Sequence, residues 1–344
     1  MPTLPAVSYV MPVLNEEQHL AAAVASILDQ DYEGPSELIL ALGASTDDTP
    51  AIAAAIAAGD ARVRLVDNPA NHIPAGLNLA IAAARHPVIV RVDAHAQLPP
   101  GYTATMVEAL ERTGAAVVGG LMDARGETPF QRAVARAYNS PFGLGGGAYH
   151  GGVVEGEIDS AYLGVFDASI FDEVGGYDET LLRGEDWELT SRIRAAGRRV
   201  WLVPSVRVAY WPRATADKLR RQMFATGAWR GELVRRQGRT PLRYLAPPAA
   251  VAALAVAPVS ALVLASGRPR GALRALLGLS AAAPFVYLAG LGAASARLGG
   301  DGVRDHALNI GALATIHTSW GLGFLRGWTR GAAQVVDSSR VTRR

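Results

Sequence analysis

The chain has 344 residues, 50% of them hydrophobic, enough for one large domain or for a domain with an appendage. It contains no cysteine, which excludes a disulfide framework and thiolate metal sites and fits a reducing compartment. The net charge of +2 hides an asymmetry: residues 191–243 hold fourteen Lys and Arg against Asp217 and Glu232, leaving the remainder acidic by about ten charges.

The opening "MPTLPAVSYVMPVLNEE" has no basic stretch ahead of its short apolar run. The run therefore reads as a strand rather than a signal peptide, and the catalytic part is expected to stay inside the cell. Residues 7–14 are a β-rich run, and "NEEQHLAAAVASILDQ" behind them has helical spacing of apolar positions. Residues 37–42 form a second strand, and "STDDTPAIAAAIAAG" opens on Ser, Thr and Asp caps before a helix that ends at Gly59. A third strand follows at 63–68, a helix at 75–85, and a fourth strand in "PVIVRVDAHA" at 87–96. This alternation predicts βαβ units and a parallel sheet. Ligands of such a sheet bind at the carboxyl ends of its strands. Those ends run from Pro12 to Glu17, from Gly43 to Asp48, and from Asp93 to His95.

The turn after the first strand, "PVLNEE", has no glycine to admit a pyrophosphate, so a dinucleotide-binding dehydrogenase is excluded. The glycines of "FGLGGGAYHGG" (142–152) do not sit between a strand and a helix and read as a flexible loop. The strand ends offer acids and one imidazole. Asp93 and His95 reach one divalent cation if a turn brings them together, the carboxylate suiting Mg²⁺ or Mn²⁺ and the imidazole shifting preference toward transition metals. An isolated Asp-x-His is more often a surface turn; its place at the end of the fourth strand favours the ligand reading. Further on, "LRGEDWELTSRIRAAG" (182–197) puts Glu185, Asp186 and Trp187 at the start of a helix. Adjacent acids there either complement the helix dipole or form a base whose pKa is raised by its neighbour.

Behind the basic stretch, residues 244–265 and 275–296 carry no charge and reach bilayer-spanning length. Residues 307–325 are a weaker third stretch, interrupted by His317. Length and lack of charge favour membrane association over a buried hairpin. With the N-terminal part in the cytoplasm, a full first span would place Arg268, Arg270 and Arg274 outside, against the positive-inside tendency; a re-entrant or interfacial segment avoids this. The basic stretch suits anionic membrane lipids, and with no reader motif it excludes nucleic acid as a partner. The expected organisation is a catalytic domain over 1–236, membrane-associated helices over 237–330 and a basic tail over 331–344.

"VMPVLNEE", "GASTDDT", "RVDAHA", "GGYDETLLRGEDWELTSRIRAAG" and "RRQMFATGAW" occur in the order and approximate spacing of family 2 glycosyltransferases, which the chain resembles over roughly residues 7–236. The set is most similar to a membrane-associated branch of that family. The resemblance implies a GT-A fold, an α/β Rossmann-like and mostly parallel sheet with flanking helices, here followed by a hydrophobic helical region. It also implies a nucleotide-sugar donor and inversion at the anomeric carbon. On these motifs Pro12, Asn15 and Glu17 line the nucleoside pocket, and Asp93 with His95 occupies the Asp-x-Asp metal and donor site. Asp186 is the catalytic base, Glu185 its neighbour near the acceptor, and Trp187 part of the sugar-binding wall. Gln222, with Arg220 and Arg221, resembles the motif that meets the pyrophosphate.

Two departures stand out. Leu42 and Gly43 replace the acids of the family's "DDGS", one of which commonly contacts the base, and His95 replaces the second acid of Asp-x-Asp, favouring Mn²⁺ over Mg²⁺. The resulting expectation is a metal-dependent inverting enzyme that moves a sugar, glucose favoured, from a UDP-sugar to a lipid-linked oligosaccharide or exopolysaccharide. The alternatives are a non-catalytic nucleotide-sugar-binding membrane scaffold and a nucleotidyltransferase. His150 is expected to face solvent rather than a metal, and Asp159 to be a loop acid. Packing is expected at least as much as ligand contact for Tyr210 and Trp211, near Arg213, and the His317–Trp320 patch either meets a lipid head group or packs between helices.

Overall fold

The computed structural model describes residues 4–144, 150, 154–238, 240–335 and 337, and divides by packing into two compact units, residues 1–123 with 147–210 and residues 124–146 with 211–344.

In the first unit the predicted alternation appears as β1 (Val7–Val13), α1 (Leu20–Leu28), β2 (Ser36–Leu42), α2 (Thr49–Gly59), β3 (Val63–Asp67), α3 (Ile73–Ala83) and β4 (Val88–Arg91). These four strands are parallel, with Val7 of β1 in register with Ser36 of β2 and Val88 of β4. Side chains alternate across the sheet. Tyr9, Met11, Leu38, Leu40 and Val90 point to one core with Leu20, Val24 and Ile27 of α1, whereas Val10, Ile39 and Ile89 point to another with Leu77 of α3. Six of the seven β1 residues are buried, as expected of a strand covered on both faces.

The sheet continues with α4 (Tyr102–Thr113), β5 (Val117–Ala124), β6 (Gly156–Glu157), β7 (Tyr162–Asp167), α6 (Ile170–Val174), α7 (Glu185–Ala195) and β8 (Val200–Tyr210), while helix α5 (Pro129–Tyr138) falls in the second unit. The strand order is β3-β2-β1-β4-β7-β5-β8-β6. Antiparallel pairing takes over beyond β4: β7 runs against both β4 and β5, and β6 against β8. The sheet is therefore mixed, with its first four strands parallel.

The second unit is helical: α5 (Pro129–Tyr138), α8 (Ala216–Gln237), a 3-10 turn (Leu242–Leu245), α9 (Ala246–Ala265), α10 (Gly271–Leu298) and α11 (Val303–Arg330). Helix α5 starts on a capping box in which Thr128 Oγ1 accepts from Gln131 N–H and Gln131 Oε1 accepts from Thr128 N–H. Helices α8 and α11 cross with their backbones in contact. A Cβ on Gly227 or Gly231 would strike the carbonyls of Trp320 and Phe324, and one on Gly323 or Gly327 those of Phe224 and Ala228. Each helix brings a G-x-x-x-G pair, the spacing that lets two backbones approach closely. Helix α8 thus packs within the helical unit.

Two helical segments are long and apolar enough to cross a membrane: Leu242–Ala265, mean hydropathy 2.1, and Gly271–Leu298, mean hydropathy 1.7. Their large apolar side chains, among them Leu262, Leu276, Leu279 and Phe285, are exposed. The third apolar stretch lies in α11, whose glycine face is occupied by α8. Most of the glycine-rich segment 145–153 and of the basic tail lies outside the described residues.

Candidate active site

The four parallel strands deliver their carboxyl ends to one edge of the sheet. Behind β1 the chain turns at Asn15, whose φ of 55° lies in the left-handed region that Asn tolerates. That turn is sewn to the loop behind β2: Asn15 N–H donates to Ser45 Oγ (2.9 Å), Thr46 N–H to Asn15 Oδ1 (2.8 Å) and Asp48 N–H to Glu17 Oε2 (3.2 Å). The loop behind β3 joins them through Asn71 Oδ1, which accepts from Ala44 N–H (2.6 Å). The Asn15 and Glu17 side chains accordingly brace these loops, and Pro12 precedes them within β1. A Cβ at Gly43 would lie 3.0 Å from Leu14 Cδ1 and 3.1 Å from Asn71 Oδ1, so an acid at that position requires its neighbours to move.

At the end of β4 stands Arg91, which sequence reasoning missed. Its side chain is 5% exposed and meets three carboxylates. Nη2 lies 3.2 Å from both Asp93 Oδ1 and Glu185 Oε1, and Nη1 donates to Asp186 Oδ1. The guanidinium also lies over the Tyr177 ring, 5.8 Å from its centroid. Burial works against this charge, yet Asp93, Tyr177 and Glu185 outweigh it and raise the Arg91 pKa, so Arg91 is a permanent cation. Burial likewise raises the Tyr177 pKa and keeps the phenol neutral. The signal was present in "PVIVRVDAHA": an arginine inside an apolar strand must find partners, and at two residues before Asp93 it shares that residue's side of the strand.

Glu185 and Asp186 occupy the first turn of α7, behind Gly184 at its N-cap. The Glu185 side chain is 10% exposed and that of Asp186 35%. Arg91 stands between the two acids, with a guanidinium nitrogen toward each. Three acids against one guanidinium leave the cluster with a formal charge of −2. Trp187 is buried beside them rather than presenting its ring broadly.

Asp93 and His95 follow β4 in a turn closed by Ala96 N–H donating to the Asp93 carbonyl (2.8 Å). His95 Nδ1 lies 3.1 Å from Glu16 Oε1, a second partner that the sequence reading passed over in favour of Asn15 and Glu17. Among the described residues no group of three His, Asp or Glu side chains converges as a metal site. Arg220, Arg221 and Gln222 belong to α8 in the helical unit. Arg220 and Arg221 both pair with Asp217, and buried Gln222 accepts from Tyr138 Oη (3.2 Å).

The remaining candidates divide. His150 is buried instead of solvent-facing, and burial lowers its pKa to about 3, so its ring is neutral. Asp159 pairs with Arg194 at 3.5 Å. Trp211 is half-exposed, whereas Arg213 is buried with Asp337 at 3.7 Å. His317 packs between helices, its Nε2 donating to the Phe142 carbonyl (2.6 Å), and Trp320 stacks on Phe324. The basic stretch is no continuous arm. Its residues run through α7, β8 and α8, and several have acid partners, such as Arg192 with Glu188, Arg198 with Glu173 and Arg236 with Glu232.

Comparison with known proteins fits this geometry. Residues 8–169 match the profile described as Glycosyl transferase family 2. Over 328 residues the chain is 32% identical to the succinoglycan biosynthesis protein ExoA of Rhizobium meliloti (strain 1021), covering 92% of this chain and 93% of that protein. The chain belongs to glycosyl transferase family 2. A more distant family relationship, 22% identity over 240 residues, links it to the dolichyl N-acetyl-alpha-D-glucosaminyl phosphate 3-beta-D-2,3-diacetamido-2,3-dideoxy-beta-D-glucuronosyltransferase of Methanococcus voltae, covering 67% of this chain and 74% of that protein. Among solved structures, the fold is similar to mannosyltransferase PcManGT from Pyrobaculum calidifontis in complex with GDP-Man and Mn²⁺, with a TM-score of 0.55 and 20% identity, covering 92% of this chain and 88% of that one. The fold is thus the GT-A type expected of family 2. Glu185 and Asp186 lie beyond the profile match, so their place in the site rests on the Arg91 contacts.

Proposed function

We propose that this chain is an inverting enzyme that moves glucose from UDP-glucose to a lipid-linked oligosaccharide or exopolysaccharide acceptor, with its catalytic part on the cytoplasmic side of the membrane. One observation carries the reading: Glu185 and Asp186 from α7 are gathered with Asp93 from β4 around Arg91 at the carboxyl edge of the sheet. In family 2 chemistry the acceptor hydroxyl must lose its proton as its oxygen attacks the anomeric carbon. Asp186 is the more accessible acid of the helix pair and takes that proton, while buried Glu185 holds Arg91 in place. The new glycosidic bond forms on the face opposite the departing nucleoside diphosphate, which leaves with the electrons of the broken bond.

Asp93 and His95 fit a divalent cation as one carboxylate and one imidazole, a pair that suits Mn²⁺ ahead of Mg²⁺ and leaves further positions for donor phosphates. When bound, such an ion neutralises charge on the diphosphate. The acidic cluster beside them supports a cation there. The exopolysaccharide reading draws support from the succinoglycan relative, and a lipid-linked acceptor from the dolichyl-phosphate sugar named for the archaeal one.

Donor and metal are tested together by equilibrium binding of UDP-, GDP- and dTDP-sugars to the full chain in detergent, with Mn²⁺, Mg²⁺ or chelator. UDP-glucose should bind most tightly with Mn²⁺ and lose at least tenfold in affinity in Asp93→Asn, as removal of a metal carboxylate implies. Tighter binding of a GDP- or dTDP-sugar, or binding indifferent to chelator, would overturn the donor and metal assignments respectively.

A further inference from the structure

Within the helical unit, an open cavity of about 580 Å³ lies where the chain leaves β5 and enters α5. Four arginines line it: Arg125 in the connection, Arg132 and Arg136 on α5, and Arg297 in the last turn of α10. Arg132 and Arg136 are four residues apart on one helix face, an arrangement of like charges that is unfavourable on its own. Asp305 lies 3.7 Å from Arg136 Nη2, and among the described lining residues none is an acid.

Arg136 is anchored through its side chain. Its Nε donates to Oδ1 of Asn309 (3.0 Å), and Asn309, fully buried, donates in turn to the Gly299 carbonyl (2.8 Å). Nη2 is buried and makes no hydrogen bond, its neighbouring acid being Asp305 at 3.7 Å. Arg132 donates through Nη1 to the Glu127 carbonyl (2.7 Å), and Arg297 lies 6.0 Å from the Phe142 ring centroid. Guanidinium forks grouped in this way match the oxygens of phosphate esters, which they bind bidentately. The volume lies in the range of small-molecule sites.

The position of the cavity narrows the ligand. Arg297 and Leu298 end α10, a helix of 28 residues with membrane-spanning hydropathy and exposed Phe285, Val286 and Leu288. The end of such a helix is where lipid head groups lie, and cationic side chains there are attracted to them. We propose that the Arg125–Arg132–Arg136–Arg297 cavity binds the phosphate or diphosphate head group of a membrane lipid. Identifying that lipid with the saccharide-bearing acceptor rests on the function proposed above.

The test uses the full chain and three probes: inorganic pyrophosphate in neutral detergent, polyprenyl diphosphate in phosphatidylcholine nanodiscs, and phosphatidylglycerol nanodiscs. Wild type is compared with Arg132→Gln/Arg297→Gln, which spares the Arg136–Asn309 anchor, and with Arg268→Gln/Arg270→Gln as an equal charge loss elsewhere; circular dichroism and melting temperature report folding. Affinity for polyprenyl diphosphate should fall tenfold or more in the cavity variant and stay within twofold in the other. Preference for polyprenyl diphosphate over phosphatidylglycerol supports the acceptor as the source; equal loss for both lipids supports the head-group site and assigns it to bilayer lipid. Unchanged affinity for all three probes in the folded cavity variant overturns the proposal, and binding of pyrophosphate with neither lipid overturns the lipid assignment. Asp186→Asn should keep wild-type lipid affinity. Loss of sugar transfer and loss of this site are therefore separate outcomes.

Discussion

The two edges of one sheet carry two buried ion clusters built on opposite terms. At the amino edge, Glu37 of β2 is surrounded on every side: Oε1 accepts from Ser8 Oγ and from Arg85 N–H, each at 2.8 Å, and Oε2 from Arg64 Nη1 at 2.9 Å. One carboxylate meets one guanidinium and the charge closes. At the carboxyl edge a single buried guanidinium, Arg91, faces Asp93, Glu185 and Asp186, and the charge does not close. Uncompensated buried charge is costly, so the first cluster serves the fold, whereas the function proposed above puts the acidic excess of the second to use on a cation and a proton-yielding acceptor. Polarity inside a sheet is thus not itself a sign of function; the imbalance is.

The strongest way to break this comparison is to remove the shared cation. Arg91→Met leaves three carboxylates together and should cost about 3–5 kcal/mol, the scale for breaking a buried ion pair, and abolish transfer. Arg91→Lys should recover part of the stability by restoring the charge without the two-handed fork. Urea unfolding followed by near-UV circular dichroism reads both, and a wild-type midpoint for Arg91→Met would refute the cluster.

At the amino edge the effect should be smaller and confined to stability. Glu37→Gln should cost about 1–3 kcal/mol at neutral pH, the scale of a buried group losing hydrogen-bond partners, and leave turnover per folded molecule unchanged. Burial pushes the Glu37 pKa up, but hydrogen bonds from Ser8, Arg85 and Arg64 outweigh it and hold the carboxyl below its ordinary 4.5. A pKa lowered on folding contributes stability that is present above the unfolded value and lost as pH falls through the folded one. Wild type should therefore lose more stability than Glu37→Gln as pH drops below about 4.5, and parallel acid curves would contradict the assignment. Ser8→Ala, which removes one hydroxyl donor from the same carboxylate, should cost about 1 kcal/mol, near the typical value for one hydrogen bond.

Much of the carboxyl edge was legible because its signals are local. Alternating apolar runs and helical spacing located β1 to β4, and with them the loops that hold Asn15, Glu17, Asp93 and His95. The antiparallel pairing was not legible, since β7 pairs with β4 across more than seventy residues and no periodicity encodes such a contact. Arg91 was hidden by its setting, a single charge inside an apolar strand whose partners come from the distant α7. The crossing of α8 and α11 was spelled out by Gly227, Gly231, Gly323 and Gly327, but composition counts hydrophobicity and not the absence of side chains. The arginine cavity depends on Arg297 meeting α5, more than 150 residues away in sequence, and had no local signature.

The measurement that bears most directly on the central claim is release of nucleoside diphosphate from sugar donors by wild type and Asp186→Asn, each in detergent with Mn²⁺ and a membrane-lipid extract. Wild type should release it from one donor, and the variant should be slower by about 10²–10⁴-fold, the range for loss of a general base, while binding that donor with unchanged affinity. Equal release by the two proteins would show that Asp186 is not the base and that the acids around Arg91 are a structural cluster like the one around Glu37.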